Sequence, residues 1–415
     1  MNKWYEMKFF RHYFSIFRNR NFLILVLVTL IGQVASGFLL LFLLVSSYAK
    51  THSNFGVSGV IVSFASPGFL LMAFSGLLAD IADRRKIIII ANCAIAVVVL
   101  AILLSREIVY AAIGLSFLYF AGNTFFLPAS SAASAQLVKK NDLDLANSIF
   151  ILTLGAGMIL GIFLGAFVHL FFGSPATLFF CEVLLLAAAG LSFRLPVMNP
   201  RKKSKTPVFL AILDIWKTFL YVFSKRTVWF PFLIFASAQG LIAIAVTLAP
   251  GFFDTVIGLT IDKSPILIFP LVGIGVLLGS LFVHKQRITP ILRIAFGFGV
   301  IGIAVTILGL VILSEVLEGL MLLLPVSLFL VALGFGEIIC MIASRAALQK
   351  RVSHSYQGTI FGANIILSSF LAGVAAPFSA LMEALFGYVN VLIFGGLIFL
   401  FFSFLFVTVS RKWKF

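Results

Sequence analysis

Apolar stretches long enough to cross a lipid bilayer recur along the whole chain. Twelve of them are separated by proline, glycine or charged segments, and they cover residues 22–49, 57–79, 87–104, 108–136, 146–172, 175–195, 228–250, 264–283, 291–313, 319–345, 358–382 and 387–410. A helix needs about 20 apolar residues to span the hydrocarbon core. Only 11% of the residues are charged, against about 25% in soluble domains. We therefore predict an all-α polytopic membrane protein with twelve transmembrane helices.

The basic residues lie almost entirely on one side of this topology. An even number of spans places both termini together, and 27 of the 30 Lys and Arg residues fall at the termini or around the loops after spans 2, 4, 6, 8 and 10. The opposite side carries Lys50, Arg106 and Lys263. The positive-inside rule then places both termini in the cytoplasm of a multi-pass protein of the cell (inner or plasma) membrane.

The net charge of +16 would also suit a nucleic-acid-binding protein. Here, however, the bases are spread over seven separate segments without a nucleic-acid-binding motif, so we expect no nucleic-acid partner. Some of the bases are positioned to meet anionic lipid headgroups.

Two matching halves are indicated by an internal repeat. Residues 137–150 (LVKKNDLDLANSIF) and 348–361 (LQKRVSHSYQGTIF) follow spans 4 and 10, and they align without a gap. We predict two pseudo-symmetric six-helix bundles, residues 1–195 and 228–415. The linker, residues 196–227, would be cytoplasmic and contain an amphipathic helix at the membrane surface. Such repeats are typical of transporters.

The turn between spans 2 and 3 reads GLLADIADRRK over residues 76–86. It resembles the loop 2–3 motif of the major facilitator superfamily, G-x-L-A-D-R-x-G-R-R-x. The matching positions are Gly76, Leu78, Ala79, Asp80, Arg84 and Arg85. Ile81 stands where the motif has a base, and Asp83 where it has glycine.

A second stretch, residues 125–150, is similar to spans 4–5 of macrolide-efflux and enterobactin-exporter-like members of that family. This resemblance implies a twelve-helix rocker-switch transporter that exports small amphiphilic molecules, drug-like or siderophore-like, generally against a proton gradient. The chain departs from the pattern at Ile162, where antiporters usually have proline, and at Ser36, near which this branch often has an acidic residue. We expect small-molecule substrates, protons and membrane lipids as partners of a monomer.

The motif residues Gly76, Asp80, Arg84 and Arg85 form the first candidate site. A carboxylate at the end of span 2 can pair with a guanidinium and face the N-terminus of a neighbouring helix. Such a cluster would stabilise one conformation and break in the other, which defines a conformational latch. A charged turn that only fixes topology is the alternative.

Two carboxylates, Glu182 and Glu337, lie deep inside apolar spans. An ionised group at that depth is expensive, so each should face an interior cavity, pair, or stay protonated. We assign both to proton coupling, with Glu337 as the stronger candidate, because Glu182 is in a span that often lies outside the bundle.

Polar and small residues complete the candidate set. Polar side chains predicted to line the substrate cavity are Gln33, Asn123, Gln239 and Asn364, although each also suits an interhelical hydrogen bond. The series Gly157, Gly161 and Gly165 has the small-xxx-small spacing of close helix packing.

Enzyme chemistry has no visible basis in this sequence. The five histidines lack metal-ligand spacing, and there is no Walker loop, Ser-His-Asp set or HExxH motif. We predict a protein without a cofactor or metal that is not an enzyme. Two alternatives remain: a lipid or lysophospholipid transporter of the same fold, and a non-transporting membrane scaffold or sensor.

Overall fold

The computed structural model describes residues 16–200, 208–261, 263–285 and 288–412. In these ranges the chain forms helices and no strand. The α-helices, numbered in chain order, are α1 Arg20–Thr51, α2 Asn54–Ile81, α3 Arg84–Leu104, α4 Val109–Leu137, α5 Leu143–Ser192, α6 Val208–Ser224, α7 Arg226–Phe252, α8 Ser264–Lys285, α9 Pro290–Leu313, α10 Leu323–Arg351 and α11 His354–Lys412. A π-helical segment, Phe253–Ile257, extends α7.

Two of the helices are each interrupted by a single glycine. Gly173 divides α5 with φ 77° and ψ −180°, and Gly387 divides α11 with φ 73° and ψ 163°. Such positive φ values are readily adopted only by glycine. All helices except α6 are long and apolar enough to span a membrane, ten in the described residues. Because α5 and α11 each contribute two arms, the predicted twelve spans are present, with shifts of a few residues at their ends.

The linker contains the short helix α6. Its exposed face carries Trp216, Leu220 and Phe223, spaced by one helical turn, whereas Val222 is fully buried. An exposed apolar stripe of this kind suits a helix that lies on a bilayer surface.

The chain divides into two compact units. The first unit comprises Met1–Ser46 and Leu70–Ile212, and the second comprises Ser47–Phe69 and Leu213–Phe415. The boundary within α2 falls just after Pro67, so the beginning of α2 belongs with the C-terminal half of the chain. The sequence repeat alone does not predict that the beginning of α2 belongs to the second unit.

Each unit has its own apolar core. In the first unit, α1, α3 and α4 contribute a cluster that includes Leu25, Val28, Ile88, Phe126 and Ala129. In the second unit, one cluster joins the end of α7 and its π-helical extension to α10 through Phe252, Phe253, Val326 and Leu330. Another cluster joins α9, α10 and α11.

Large apolar side chains also cover the outer faces of the helices. Ile90 and Val97 of α3 are each 67% exposed, and Leu152 of α5 is equally exposed. Contiguous apolar surface of this kind is unfavourable in water and is expected where helices face lipid.

Candidate functional site

The glycines of α5 lie where its first arm, residues 143–172, crosses α1. A Cβ placed on Gly161 would overlap the backbone of Val34, and one on Gly165 would lie 3.2 Å from Phe38 Cα. A Cβ on Gly157 would lie 2.8 Å from Gln33 Cβ. The absence of side chains here allows the two backbones to approach closely. The proline expected at position 162 is therefore not needed for this contact.

A hydrogen-bonded network lies on α1 and α4 beside this crossing. The Ser36 hydroxyl donates to Gly32 O at 3.0 Å and lies 2.8 Å from the Tyr119 hydroxyl, and Asn123 Nδ2 donates to Ser36 Oγ at 3.2 Å. A serine hydroxyl has one proton and two lone pairs. With its proton on Gly32, Ser36 accepts from both Tyr119 and Asn123, and its hydrogen-bonding capacity is filled.

Of the two predicted cavity residues in this unit, Asn123 belongs to the network, whereas Gln33 lies beside it on α1. Gln33 lies less than one turn before Ser36 and is buried, and Asn123 lies one turn after the fully buried Tyr119. Ser36 and Tyr119 themselves were not assigned a role from the sequence. A tyrosine within an apolar span was the available signal, because a buried Tyr hydroxyl usually has a hydrogen-bond partner.

Glu182 lies at the level of this network. Its neighbour Cys181 donates from Sγ to Ala35 O at 3.3 Å, which places the second arm of α5 against α1. The Glu182 side chain is 8% exposed, and its Oε2 is enclosed without a hydrogen-bond partner. An unpartnered carboxylate oxygen in a lipid-embedded unit is unfavourable if the group is ionised.

Glu337 occupies a comparable position in α10 of the second unit. Its Oε1 is enclosed without a hydrogen-bond partner. The residues beside it hold α10 closely against α9: Gly336 has no room for a Cβ near Gly297 and Ile301, and Cys340 Sγ donates to Ile294 O at 3.7 Å. Glu337 is therefore fixed to a tightly packed helix pair rather than to a mobile surface.

Glu182 and Glu337 are the acidic groups at mid-span in the described part of the chain. The Lys and Arg side chains of the described membrane-spanning helices lie nearer the helix ends, Arg345 being the deepest of those in α10. The charge at mid-span is thus acidic, and no Lys or Arg of the described spans accompanies it at the same depth.

The other two predicted cavity residues lie on α7 and α11. Asn364 is buried; its Nδ2 donates to Phe232 O at 2.9 Å, and its Oδ1 accepts from Ser368 Oγ at 3.3 Å. The amide therefore ties α11 to α7. Gln239, two turns along α7 from Phe232, is exposed.

The charged turn between α2 and α3 is organised by Asp83. Asp83 caps α3, since its Oδ1 accepts from the backbone N–H of Arg85 at 3.1 Å and from that of Met198 at 2.9 Å. Because Met198 follows α5, the cap also anchors the end of that helix. Asp83 stands where the family motif has glycine, and its structural role was missed from the sequence.

The arginines of the same turn contact backbone carbonyls and a glutamine. Arg84 Nη1 donates to Gln136 Oε1 at 2.6 Å, and its Nε donates to Ala79 O at 3.2 Å. Arg85 Nη2 donates to Phe193 O at 2.8 Å. Asp80 is exposed, and in the described structure it forms no ion pair with either arginine. Gly76 has open space beside its Cα.

Comparison with known proteins identifies a family and a fold. The sequence pattern of the Major Facilitator Superfamily matches residues 21–377. No curated protein matches the chain. Nothing in these comparisons bears on the macrolide-efflux branch, which stays a prediction.

Solved structures with the same fold are transporters. A POT family transporter in complex with 5-aminolevulinic acid has a TM-score of 0.75 at 11% identity, over 95% of this chain and 96% of that one. The nucleoside transporter NupG gives 0.71 at 14% identity, over 95% and 99%. A structure that concerns substrate recognition in proton dependent oligopeptide transporters has a TM-score of 0.65 at 14% identity, over 94% of this chain and 98% of that one. Similarity at these identities shows the fold alone.

Proposed function

The chain belongs to the Major Facilitator Superfamily, and from that membership we propose that this membrane transporter exports small amphiphilic molecules by proton-coupled alternating access. The proposal rests on one observation above the others, the Glu337 carboxylate, whose Oε1 is enclosed without a hydrogen-bond partner. Membership of the family accounts for the transport function in this proposal. The direction of transport follows from the resemblance of residues 125–150 to exporters, whereas the charge of the substrate and the coupling are inferred from the residues of this chain.

Glu337 suits a proton carrier because of its surroundings. Its Oε1 is enclosed without a partner in an apolar helix. The ionised form is unfavourable there, whereas the protonated form is tolerated at much lower cost. A group of this kind exchanges its proton when water reaches it and holds the proton when water is excluded. This behaviour is what proton coupling to alternating access requires.

The charges at mid-span favour a cationic or neutral substrate. Glu182 and Glu337 are both acids, and no base lies at their depth in the described residues. Zwitterionic ligands are recognised by groups of both signs. The related structures were determined for transporters of peptides and nucleosides, but this distribution of charge is better matched to an amphiphile with a cationic or uncharged polar end.

The polar network of the first unit offers a recognition surface. Asn123 of α4 donates to Ser36 of α1, and Gln33 lies less than one turn before Ser36 on the same helix. We assign Gln33 and Asn123 to substrate hydrogen bonding. Ser36 and Tyr119 hold the Asn123 amide in place.

Transport into inside-out vesicles tests the proposed function. A panel of cationic, neutral and zwitterionic fluorescent compounds is offered with an imposed pH gradient, and again after the gradient is collapsed. We expect cationic or neutral amphiphiles to accumulate only with the gradient. Accumulation of zwitterions alone, or of fluorescent lysophospholipids alone, would contradict the proposal.

The turn at residues 76–86 provides a separate prediction. We propose that Asp80 acts as a conformational latch at the cytoplasmic side, so Asp80→Asn should reduce transport severalfold while insertion and thermal stability stay normal. Asp83→Ala should instead lower stability by about 0.5–2 kcal/mol, because a helix cap is lost. Vesicle transport and the melting temperature in detergent separate the two effects. Unimpaired transport by the Asp80→Asn variant would exclude the latch.

A further inference from the structure

The beginning of α2 packs along the first arm of α11 in the second unit. The contacts form an antiparallel series, because the residue number on α11 falls from 383 to about 370 as that on α2 rises from 54 to 69. From one end to the other, the contacting pairs are Asn54 with Glu383, Ala65 with Gly373, Gly68 with Ser369, and Phe69 with Phe370. The series stops at the point where α2 passes from the second unit to the first. We call this contact the α2–α11 seam.

Small residues make the seam close along most of its length. A Cβ on Gly373 would lie 3.8 Å from Ala65 Cβ, and one on Gly68 would overlap the Ser369 hydroxyl. The rings of Phe69 and Phe370 lie 5.2 Å apart. None of these contacts is a strong directional bond, so the helices can part here at modest cost.

The end of the seam near residue 54 is different, because it is held by hydrogen bonds. Asn54 is 3% exposed, and its Nδ2 donates to Glu383 Oε2 at 2.9 Å and to the Tyr388 hydroxyl at 2.6 Å. These two partners lie on opposite sides of the Gly387 kink. The first residue of α2 therefore fastens both arms of α11.

The surroundings of Asn54 are built to fit it. Gly251 of α7 lies against it, since a Cβ there would be 2.7 Å from Asn54 Oδ1 and 2.9 Å from Tyr48 Cε2. Asn54 Oδ1 is enclosed and has no hydrogen-bond partner. That unsatisfied oxygen offsets part of the stabilisation from the two bonds. The closed arrangement is thus favoured only moderately, as a reversible contact requires.

We propose that Asn54, Glu383 and Tyr388 form an outer latch, which keeps the α2–α11 seam closed and opens when Glu383 takes a proton. The latch rests on the proposed function only because alternating access needs this end to open. The positive-inside distribution assigns this end to the outside of the cell. Protons that arrive from outside would therefore meet Glu383 first.

The strength of the hydrogen bond from Asn54 to Glu383 predicts the direction of the pH response. An ionised carboxylate accepts a shorter and roughly twofold stronger hydrogen bond than a neutral group. The additional stabilisation is present while Glu383 is ionised and is lost as the external pH falls and the carboxylate is protonated. A neutral Glu383 still accepts a weaker bond from Asn54 Nδ2, and it could donate its new proton only if the Asn54 amide turned to present Oδ1, which lies against Gly251 instead.

Other titratable and charged groups border the latch. Tyr48 of α1 hydrogen-bonds to Asp254 of the π-helical segment, and both Asp254 and Glu383 are within electrostatic range of Tyr48. His52 packs edge-on against Tyr48 at 6.4 Å, and Lys50 lies exposed nearby. Because Asp254 and Glu383 both act on Tyr48, protonation of either relieves repulsion between like charges, and this offsets part of the opening that the weaker bond to Asn54 favours.

Accessibility of a cysteine at the seam tests the outer latch. Ser58 lies one turn after Asn54 and is 4% exposed. The Ser58→Cys variant, in right-side-out vesicles, is treated with a membrane-impermeant maleimide at neutral and at acidic external pH. The parent chain measures the background, because Cys181 and Cys340 are buried and Cys93 is partly buried.

The native latch and the Asn54→Asp variant are expected to change their labelling rates with pH in opposite directions. With the native latch, labelling is slow at neutral pH and about tenfold faster in acid, as loss of one charge-assisted bond implies. Asn54→Asp reverses this response: two carboxylates repel at neutral pH, and in acid they share a proton and hold the seam closed. Glu383→Gln labels fast at both pH values. The double variant Asn54→Asp with Glu383→Gln returns to slow labelling at neutral pH, because the amide and the carboxylate have exchanged places.

Controls separate the latch from general effects. Glu318→Gln removes an exposed carboxylate that the predicted topology places on the same side but outside the seam, and it should label as the native latch does. Tyr388→Phe removes one hydroxyl and keeps the ring, so it raises labelling at neutral pH even if Asn54→Asp does not accumulate. Two results overturn the proposal. One is equal labelling of Tyr388→Phe and the native latch at neutral pH. The other is slower labelling of the native latch in acid than at neutral pH.

Labelling needs no substrate, so its result is independent of the export assay. A pH-dependent seam in a protein that moves none of the offered compounds supports the outer latch and rejects the proposed substrate class. Proton-driven export by a protein whose seam does not respond to pH supports the proposed function and rejects the outer latch.

Discussion

Replacement of Glu337 by Gln is expected to abolish transport driven by a pH gradient while leaving the protein folded and in the membrane. Glutamine has nearly the same shape as the protonated acid, so packing against α9 is retained, but it cannot release a proton. Vesicles that contain the variant should accumulate no more dye in a gradient than vesicles without the protein. Initial rates of dye accumulation at matched expression measure the effect.

Exchange of substrate at equilibrium distinguishes coupling from binding. With labelled substrate on one side, unlabelled substrate on the other and no pH gradient, the Glu337→Gln variant should still exchange, because a permanently neutral residue 337 does not block substrate binding. Loss of exchange together with loss of driven transport would instead make Glu337 a substrate ligand. Undiminished gradient-driven transport would remove Glu337 from the mechanism altogether.

Glu182→Gln is the matched comparison. Its carboxylate is also enclosed on one side, but it lies on the second arm of α5 beside the Cys181 contact with α1. We expect this variant to retain gradient-driven transport at a reduced rate. If the two variants behave alike, protons pass through both carboxylates.

Sequence reasoning located the spans because lipid imposes a simple rule. Every helix must present about 20 apolar residues, and interruptions by charge or proline mark its ends. The tight connections within α5 and α11 were also marked, since Gly173 is followed closely by Pro175 and Gly387 interrupts an apolar run. These signals are local, and the structure reproduces them within a few residues.

Contacts between distant residues had no such signal. Asn54 and Glu383 are separated by 329 positions, and each lies near the end of an apolar run, where polar residues are ordinary. Likewise, nothing near Ser36 indicated that Tyr119 and Asn123 would converge on it. A single sequence gives the depth of a residue in the membrane but not the neighbour that it meets there.

The charged turn shows a different limit. Its family motif was recognised, yet its internal bonds were not: Asp83 rather than Asp80 makes the defined contacts, and Arg84 contacts Gln136. A motif reports which residue types recur at a place. Which of two carboxylates three residues apart caps the following helix depends on the exit angle of α2, and that is set by tertiary packing.

Gly161→Ala is expected to be the most damaging single methyl addition in the first unit. The new Cβ would overlap the backbone of Val34, and backbone atoms cannot rotate away as a side chain can. The α1 and α5 helices would have to separate, at a cost of about 1–3 kcal/mol. Ser36 lies two residues after Val34 on α1 and holds Tyr119 and Asn123, so separation should also impair substrate binding.

A graded series on the same arm of α5 makes this prediction specific. Gly155 has no neighbour within 4 Å, so Gly155→Ala should be neutral or slightly stabilising, because alanine favours helix by about 1 kcal/mol. Gly165, where a Cβ would lie 3.2 Å from Phe38 Cα, should fall between. Melting temperatures in detergent and dye transport should both follow the order Gly155, Gly165, Gly161. If Gly161→Ala were as stable as Gly155→Ala, the two helices could not cross at Gly161 as closely as the structure has them.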